Sequence, residues 1–500
     1  MANGPSRPFP PVSTGALLRR ATPGSTALRG GRVRRLTPYQ VFGLLFWLLM
    51  TLAYWRVPPC CEAGLHAAAV VRLLAGLTDT AASPYVLAQA ALARLTGLTG
   101  WQLLRVCGPL NLLVLLTGLG RLVRVLTPRP WAPVLALGFV SVLWGTRPAW
   151  GGGSLALLPL TGSLGYPSAF ALGLTLWAWA LTGARARDLR RVRYVGPSGL
   201  RSLSGYAALG LLYGTVTLVD PVTGVGAAAG ALAFVTGWQR GWRAAVWERW
   251  ALLCTVATAV LAFGTHARVP PPSAYGPYAG LGEWAGQCWL ALLGIPALWL
   301  RARRAGSPVQ RGAVGPAAWR DPLVLLFALE CLVLVCGRLA GLLGLVLLAP
   351  QCALAQELAA ERPWCRWRRV LGWAAAGGVC LGFVAAQAGA VVPRSVDPVG
   401  FAQPPRWPSY DWAARHIGPG EPVVTDAYYA VRLLPGYGIA LTDGHDHRPR
   451  VRWLLLTRQE RLPAGAVVVD WSRRTGEVLA RLTRTGDTSP VPLVTRSVTR

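Results

Sequence analysis

The chain contains no lysine. All 50 of its basic residues are arginine, and only 20 residues are acidic. Charged residues make up 14% of the 500 positions, against about 25% in soluble globular chains, so that class is excluded. The ten cysteines show no zinc-type spacing, and most sit in apolar runs as small hydrophobes. Adjacent Cys60 and Cys61 are expected to find other partners if oxidised. The sequence opens without a short apolar segment and small-residue cleavage site, so the first span is expected to be retained. A nucleic-acid surface would need arginines clustered on a soluble face, whereas here they punctuate apolar segments. Arg, Ala, Gly and Pro enrichment is the mark of a GC-rich coding sequence.

What is present is hydrophobicity. Fifty-three per cent of the residues are hydrophobic and the mean hydropathy is +0.40. Several apolar runs approach the roughly 20 residues that cross a bilayer about 30 Å thick. The expected fold class is mainly α, a polytopic transmembrane helical bundle. Apolar segments at 39–55, 103–120, 131–145, 168–182, 202–219, 222–236, 250–264, 285–300, 322–336, 339–350 and 370–391 give about eleven spans. The pair at 322–350 reads either as a hairpin or as one kinked helix. Segments 67–76 and 84–95 are too short to cross and read as helices near the outer surface. Residues 1–36 form a basic tail too poor in apolar periodicity to fold alone. Its cluster of Arg29, Arg32, Arg34 and Arg35 abuts the first span. By the positive-inside rule that end is cytoplasmic, and the other arginine-rich loops alternate accordingly. An odd number of spans then places the C-terminus outside, in a multi-pass plasma-membrane protein.

Residues 393–500 change character. They hold half of the chain's 20 acidic residues and only short apolar runs. Helices are expected at 409–416 and 427–434 and strands at 421–425, 452–456, 466–471 and 477–482, the last two as a hairpin over 472–476. This is a small extracytoplasmic α/β domain following a transmembrane domain of residues 37–392.

Chemistry-bearing residues collect in the outer segments. Glu62 and His66 follow the first span four residues apart, which puts them on one face of a helix. An outward carboxylate there can take the proton of a hydroxyl nucleophile, and His66 can hold a lipid phosphate or a water. The plainer reading pairs Glu62 with Arg56 or Arg72 at the interface. The Gly-rich stretch 147–166 carries Trp150 and Tyr166, suited to sugar faces or to an interfacial aromatic belt. Asp220, before Pro221, either binds an acceptor hydroxyl or metal or caps the following helix. Glu330 lies inside an apolar segment and needs a hydrated cavity or a neighbouring helix. His445, Asp446 and His447, with Asp443, lack a further ligand of convincing spacing and read as a solvated loop. No metal ligand set is assigned, and divalent-metal dependence stays open.

Four stretches carry a resemblance: CCEAGLHAAAVVRLLAG, YPSAFALGL, VDPVTG and YDWAARHIGPGEPVVTDAYYAVRLLPGYG. In them the chain resembles bacterial polytopic glycosyltransferases of the GT-C superfamily, which use polyprenyl-phosphate sugars. The resemblance runs over most of residues 39–470. It implies transfer of a sugar from a lipid-linked donor to a cell-envelope glycan or lipid acceptor on the outer face. It also implies Glu62 as base, His66 as donor-phosphate contact and, more weakly, Asp220 in the site. One departure stands out: many relatives have an acidic pair in the first outer loop, where this chain has Cys60 and Cys61 before a single Glu62. The alternative class is a transporter, flippase or structural membrane protein, which would place its ionisable groups at mid-membrane. Here Glu330 is the main such group.

Overall fold

The computed structural model describes residues 36–57, 62–76, 83–149, 155–188, 199–239, 242, 244–264, 286–305, 321–337, 340–360, 366–442, 453–458 and 460–482. Residues from Pro38 onward form one compact unit. Its helical part begins with α1 (Pro38–Arg56), α2 (Ala63–Leu74), α3 (Pro84–Thr96), α4 (Gly100–Leu126) and α5 (Ala132–Val142). There follow α6 (Leu157–Ser163), α7 (Pro167–Asp188), α8 (Gly199–Val219), α9 (Pro221–Trp238) and α10 (Ala244–Gly264). The bundle closes with α11 (Ile295–Ala305), α12 (Pro322–Gly337), α13 (Leu343–Leu358) and α14 (Arg366–Gly382).

Local chemistry sets the helix limits near the site. The Ser83 hydroxyl accepts from the Val86 N–H, Pro84 opens α3, and Gly97 ends it with a left-handed φ of 70°. Thr99 and Gln102 form a reciprocal capping box at the start of α4. Pro109 inside α4 removes the N–H that the Arg105 carbonyl would otherwise accept from. The indole Nε1 of Trp55 on α1 donates to that carbonyl at 3.0 Å. Tyr39, Trp47 and Tyr54 also donate to α4 carbonyls, at Leu116, Pro109 and Leu104, so α1 is held along α4 by aromatic donors. On the other side α4 lies against α7, and a Cβ on Gly118 would stand 2.8 Å from the Gly173 carbonyl oxygen. Small residues admit this close crossing, which is how helices associate where no water drives them together.

Among the described residues, five helices are long and apolar enough to cross a membrane: Pro38–Arg56, Gly100–Leu126, Pro221–Trp238, Val246–Gly264 and Arg366–Ala390. Leu157–Ser163 and Pro167–Arg187, bent by 116°, make a sixth if taken as one span. Shorter apolar helices cover other expected segments, among them Ala132–Val142, Leu203–Val219, Pro322–Gly337 and Leu343–Leu358. The segment at 322–350 is a pair of helices, α12 and α13, packed on each other, which decides for the hairpin.

The C-terminal part holds α15 (Asp411–Ala414), β1 (Pro422–Val424), α16 (Tyr428–Leu433), a 3-10 turn at Leu434–Tyr437, β2 (Ala440–Leu441), β3 (Trp453–Leu456), β4 (Ala466–Trp471) and β5 (Val478–Leu482). The sheet order is β2-β1-β3-β5-β4. β1 is parallel to β2 and β3, with Val423 opposite Trp453, and β5 is antiparallel to β3 and β4. The expected hairpin is present, closed by Gly476 at a φ of 74°. The two-residue β2 was not expected, since so short a run carries no alternation. Trp407, Tyr410, Val423, Leu433, Trp453 and Leu479 form the core, and Trp101 of α4 packs against it. That indole ties the sheet region to the bundle.

Candidate functional site

Glu62 is the N-cap residue of α2, but its carboxylate does not cap the helix. It is half-buried and lies within reach of the positive charge of Arg432 on α16, whose guanidinium stacks on the Tyr428 ring at 3.9 Å and donates to the Tyr428 carbonyl at 3.1 Å. Burial raises its carboxyl above the usual range, and the Arg432 charge pulls it back down. Among the described residues Glu62 forms no ion pair with Arg56 or Arg72, both exposed. Nor does Glu62 form an ion pair with Arg432 among the described residues; the charge of that arginine acts on it through space.

One turn on, the half-buried His66 ring lies 4.5 Å from that of Tyr166. Burial pushes its imidazole down to about 4, so it is neutral at pH 7. Tyr166 occupies the elbow between α6 and α7, and the elbow is pinned from α4. Asn111, 2% exposed, donates through Nδ2 to the Leu164 carbonyl at 2.8 Å, the Tyr85 hydroxyl at 2.8 Å and the Tyr166 carbonyl at 3.4 Å. Gln387, after α14, accepts from the Leu158 N–H at 2.8 Å and fixes the other end of α6. Thus the first outer segment and the Gly-rich stretch meet through His66 and Tyr166. Trp150 lies outside the described residues, as do Asp443, His445, Asp446 and His447.

Asp220 starts α9 and accepts from the Thr223 hydroxyl at 2.5 Å. It occupies the N-cap position of α9 and makes no side-chain bond to the helix's first backbone N–H groups. Glu330 is fully buried, and neither carboxylate oxygen has a hydrogen-bond partner among the described residues. One of them lies 3.3 Å from where a Gly226 Cβ would stand, beside Leu342 and Leu345, so of the two readings it faces a neighbouring helix. No group of three or more His, Cys, Asp or Glu suited to a metal ion occurs among the described residues.

No family model matches the chain, and no curated protein matches it in sequence. Solved structures do match. ArnT from Cupriavidus metallidurans bound to undecaprenyl phosphate is 14% identical, with a TM-score of 0.52 over 89% of this chain and 97% of that one. Arabinofuranosyltransferase AftD from mycobacteria is 13% identical, with a TM-score of 0.53 over 89% of this chain and 41% of AftD. Archaeal oligosaccharyltransferase AglB from Archaeoglobus fulgidus, in complex with an inhibitory peptide and a dolichol-phosphate, is 10% identical. Its TM-score is 0.50, over 83% of this chain and 65% of that one. The fold is that of the GT-C glycosyltransferases.

Within this GT-C fold two residues of the site escaped the reading of the sequence. Arg432 sits in a stretch, VRLLPGYG, whose distance of some hundreds of positions from Glu62 hides their meeting. Asn111 had a visible signal: it is a lone amide in the apolar run of α4, and a polar group at such depth requires partners.

Proposed function

We propose that the protein is a membrane glycosyltransferase that moves a sugar from a polyprenyl-phosphate donor to a cell-envelope glycan or lipid on the outer face. The observation that carries this reading is the half-buried Glu62 carboxylate within reach of the Arg432 charge, with His66 and Tyr166 in ring contact one turn away. In the proposed reaction an acceptor hydroxyl oxygen attacks the anomeric carbon of the donor. The bond from that carbon to the phosphate oxygen breaks, and polyprenyl phosphate leaves with the electron pair. Glu62 takes the hydroxyl proton, and Arg432 offsets the charge gathering on the phosphate. His66 and Tyr166 line the approach, with Arg56 and Arg72 at the rim and Trp150 and Asp220 as further proposed contacts. The likeness to ArnT and AglB, whose structures hold undecaprenyl phosphate and a dolichol-phosphate, supports a lipid-linked donor. The proposed layout is a cytoplasmic tail at 1–36, a transmembrane domain at 37–392 and an extracytoplasmic domain at 393–500.

A transport reading would use Glu330. Its enclosure by Gly226, Leu342 and Leu345 favours a packed interior over a path.

Sugar transfer from a radiolabelled polyprenyl-phosphate donor, in membranes holding equal amounts of parent and Glu62→Gln protein, tests the proposal. Turnover is expected to fall about 10²–10⁴-fold, the usual contribution of a positioned base. Equal rates would remove Glu62 from the mechanism.

A further inference from the structure

At the other end of α4 from Glu62, the C-terminal ends of α4, α11 and α13 surround a cavity of about 200 Å³. The 27 residues of α4 make it about 40 Å long, so this cavity belongs to the opposite membrane face. Arg129, Arg301, Arg304, Gln356 and Glu357 line it.

A donor count shows what the cavity lacks. Arg301 donates through Nε and Nη2 to Asp321 at 3.1 and 2.8 Å, and through Nη1 to Gln356 Oε1 at 2.5 Å. Arg304 pairs with Glu357. Arg129 donates through Nη1 to the Gln356 carbonyl at 2.7 Å and has no carboxylate within ion-pair reach among the described residues. Gln356 is 3% exposed, and its Nε2 has no acceptor among the described residues.

The negative ends of the helices would by themselves attract guanidinium groups, but other bonds already serve those carbonyls. Arg368 donates to Glu357 O and Ala360 O at 2.7 and 2.8 Å, and Arg187 donates to Val125 O. What remains unmatched is donors, most of all on Arg129 and Gln356. The charges that gather here are Arg129, Arg187, Arg301, Arg304 and Arg368 against Asp321 and Glu357. A group rich in acceptor oxygens and negatively charged meets both deficits.

We infer that this cavity binds a phosphate group. Guanidinium forks fit phosphate oxygens in pairs. Basic pockets between transmembrane helices at a membrane surface take anionic headgroups. The source is either the headgroup of an anionic phospholipid or free inorganic phosphate, and the site is separate from that of Glu62.

The full chain, purified in neutral detergent, is exposed to inorganic phosphate or to phosphatidylglycerol. Thermal unfolding reads the first and native mass spectrometry the second. The decisive variant is Gln356→Glu, which keeps an acceptor for Arg301 but replaces the unmatched amide donor with a negative charge. The parent is expected to retain phosphatidylglycerol or to melt at higher temperature with phosphate than with equal chloride. The variant should fold and lose that affinity at least about tenfold, a difference of 1.4 kcal/mol. Retention of the lipid without a phosphate effect assigns the headgroup, and the reverse assigns free phosphate. A parent that responds to neither, or a variant that binds as well as the parent, overturns the inference. Arg129→Ala, expected to weaken binding in the same assay, serves as a second reading if the glutamate variant does not fold.

Discussion

A Cβ on Gly64 would stand 2.0 Å from the carbonyl oxygen of Arg432 and 2.8 Å from the Cα of Leu433. Helix α2 and the end of α16 therefore meet backbone to backbone, and this contact brings the charge of Arg432 within reach of Glu62. Both neighbours are main chain and cannot swing aside. Gly64→Ala is expected to push α16 away and cost about 1–3 kcal/mol, as overpacking does. Transfer activity should fall with it. Gly138→Ala, at a helical position where the added methyl meets no neighbouring element within 4 Å, is the control and should leave activity unchanged and stability unchanged or raised by up to about 1 kcal/mol. Thermal unfolding and the transfer assay check the pair.

The same contact sets the pH dependence. Glu62 acts as a base only when ionised. Burial raises its carboxyl and Arg432 lowers it, so activity should disappear on acidification at a higher pH than an exposed glutamate would give. Arg432→Gln removes the lowering influence, and the acid limb of the pH–rate profile should move further up. An unchanged limb in the variant would show that the two charges do not communicate.

Asn111 holds the elbow that presents Tyr166 to His66. Asn111→Leu keeps the branched shape of the side chain but strips the Leu164 carbonyl and the Tyr85 hydroxyl of a donor. Leaving buried polar groups unpaired costs about 1–3 kcal/mol. The expected outcome is reduced thermal stability together with a loss of transfer activity larger than that of an exposed-site control such as Leu95→Ala, where the parent side chain is 85% exposed.

The proposed topology places residue 500 on the same outer face as Glu62. A reporter that is active only in an oxidising compartment, fused after Arg500, should give signal, and a cytoplasmic reporter at the same position should be silent. The opposite pattern would reverse the assignment of both ends.

Much of this architecture was legible because it depends on local pattern. Apolar runs of bilayer length mark helices wherever they occur, since an unpaired backbone in lipid is too costly to leave open. The hairpin at β4 and β5 was readable from alternation around a short polar turn, and Pro84 and Pro221 mark helix starts by their missing N–H. The four-residue spacing of Glu62 and His66 likewise needed only helical geometry.

The sequence by itself determined that the chain is rich in membrane-length apolar segments, that its C-terminal part combines short strands and helices, and that a carboxylate and an imidazole stand four residues apart after the first span. Only the tertiary structure decided what stands opposite them. The charge that acts on Glu62 is that of Arg432 rather than of Arg56 or Arg72, and Asn111 and Tyr85 bind the elbow from which Tyr166 reaches His66. The physical reason is range. Helix periodicity and capping act within a few residues, whereas the field at a carboxylate falls off with distance in space, whatever the separation along the chain. Gly64 and Gly436 let two backbones touch, and no local pattern in either segment records which surface the other provides.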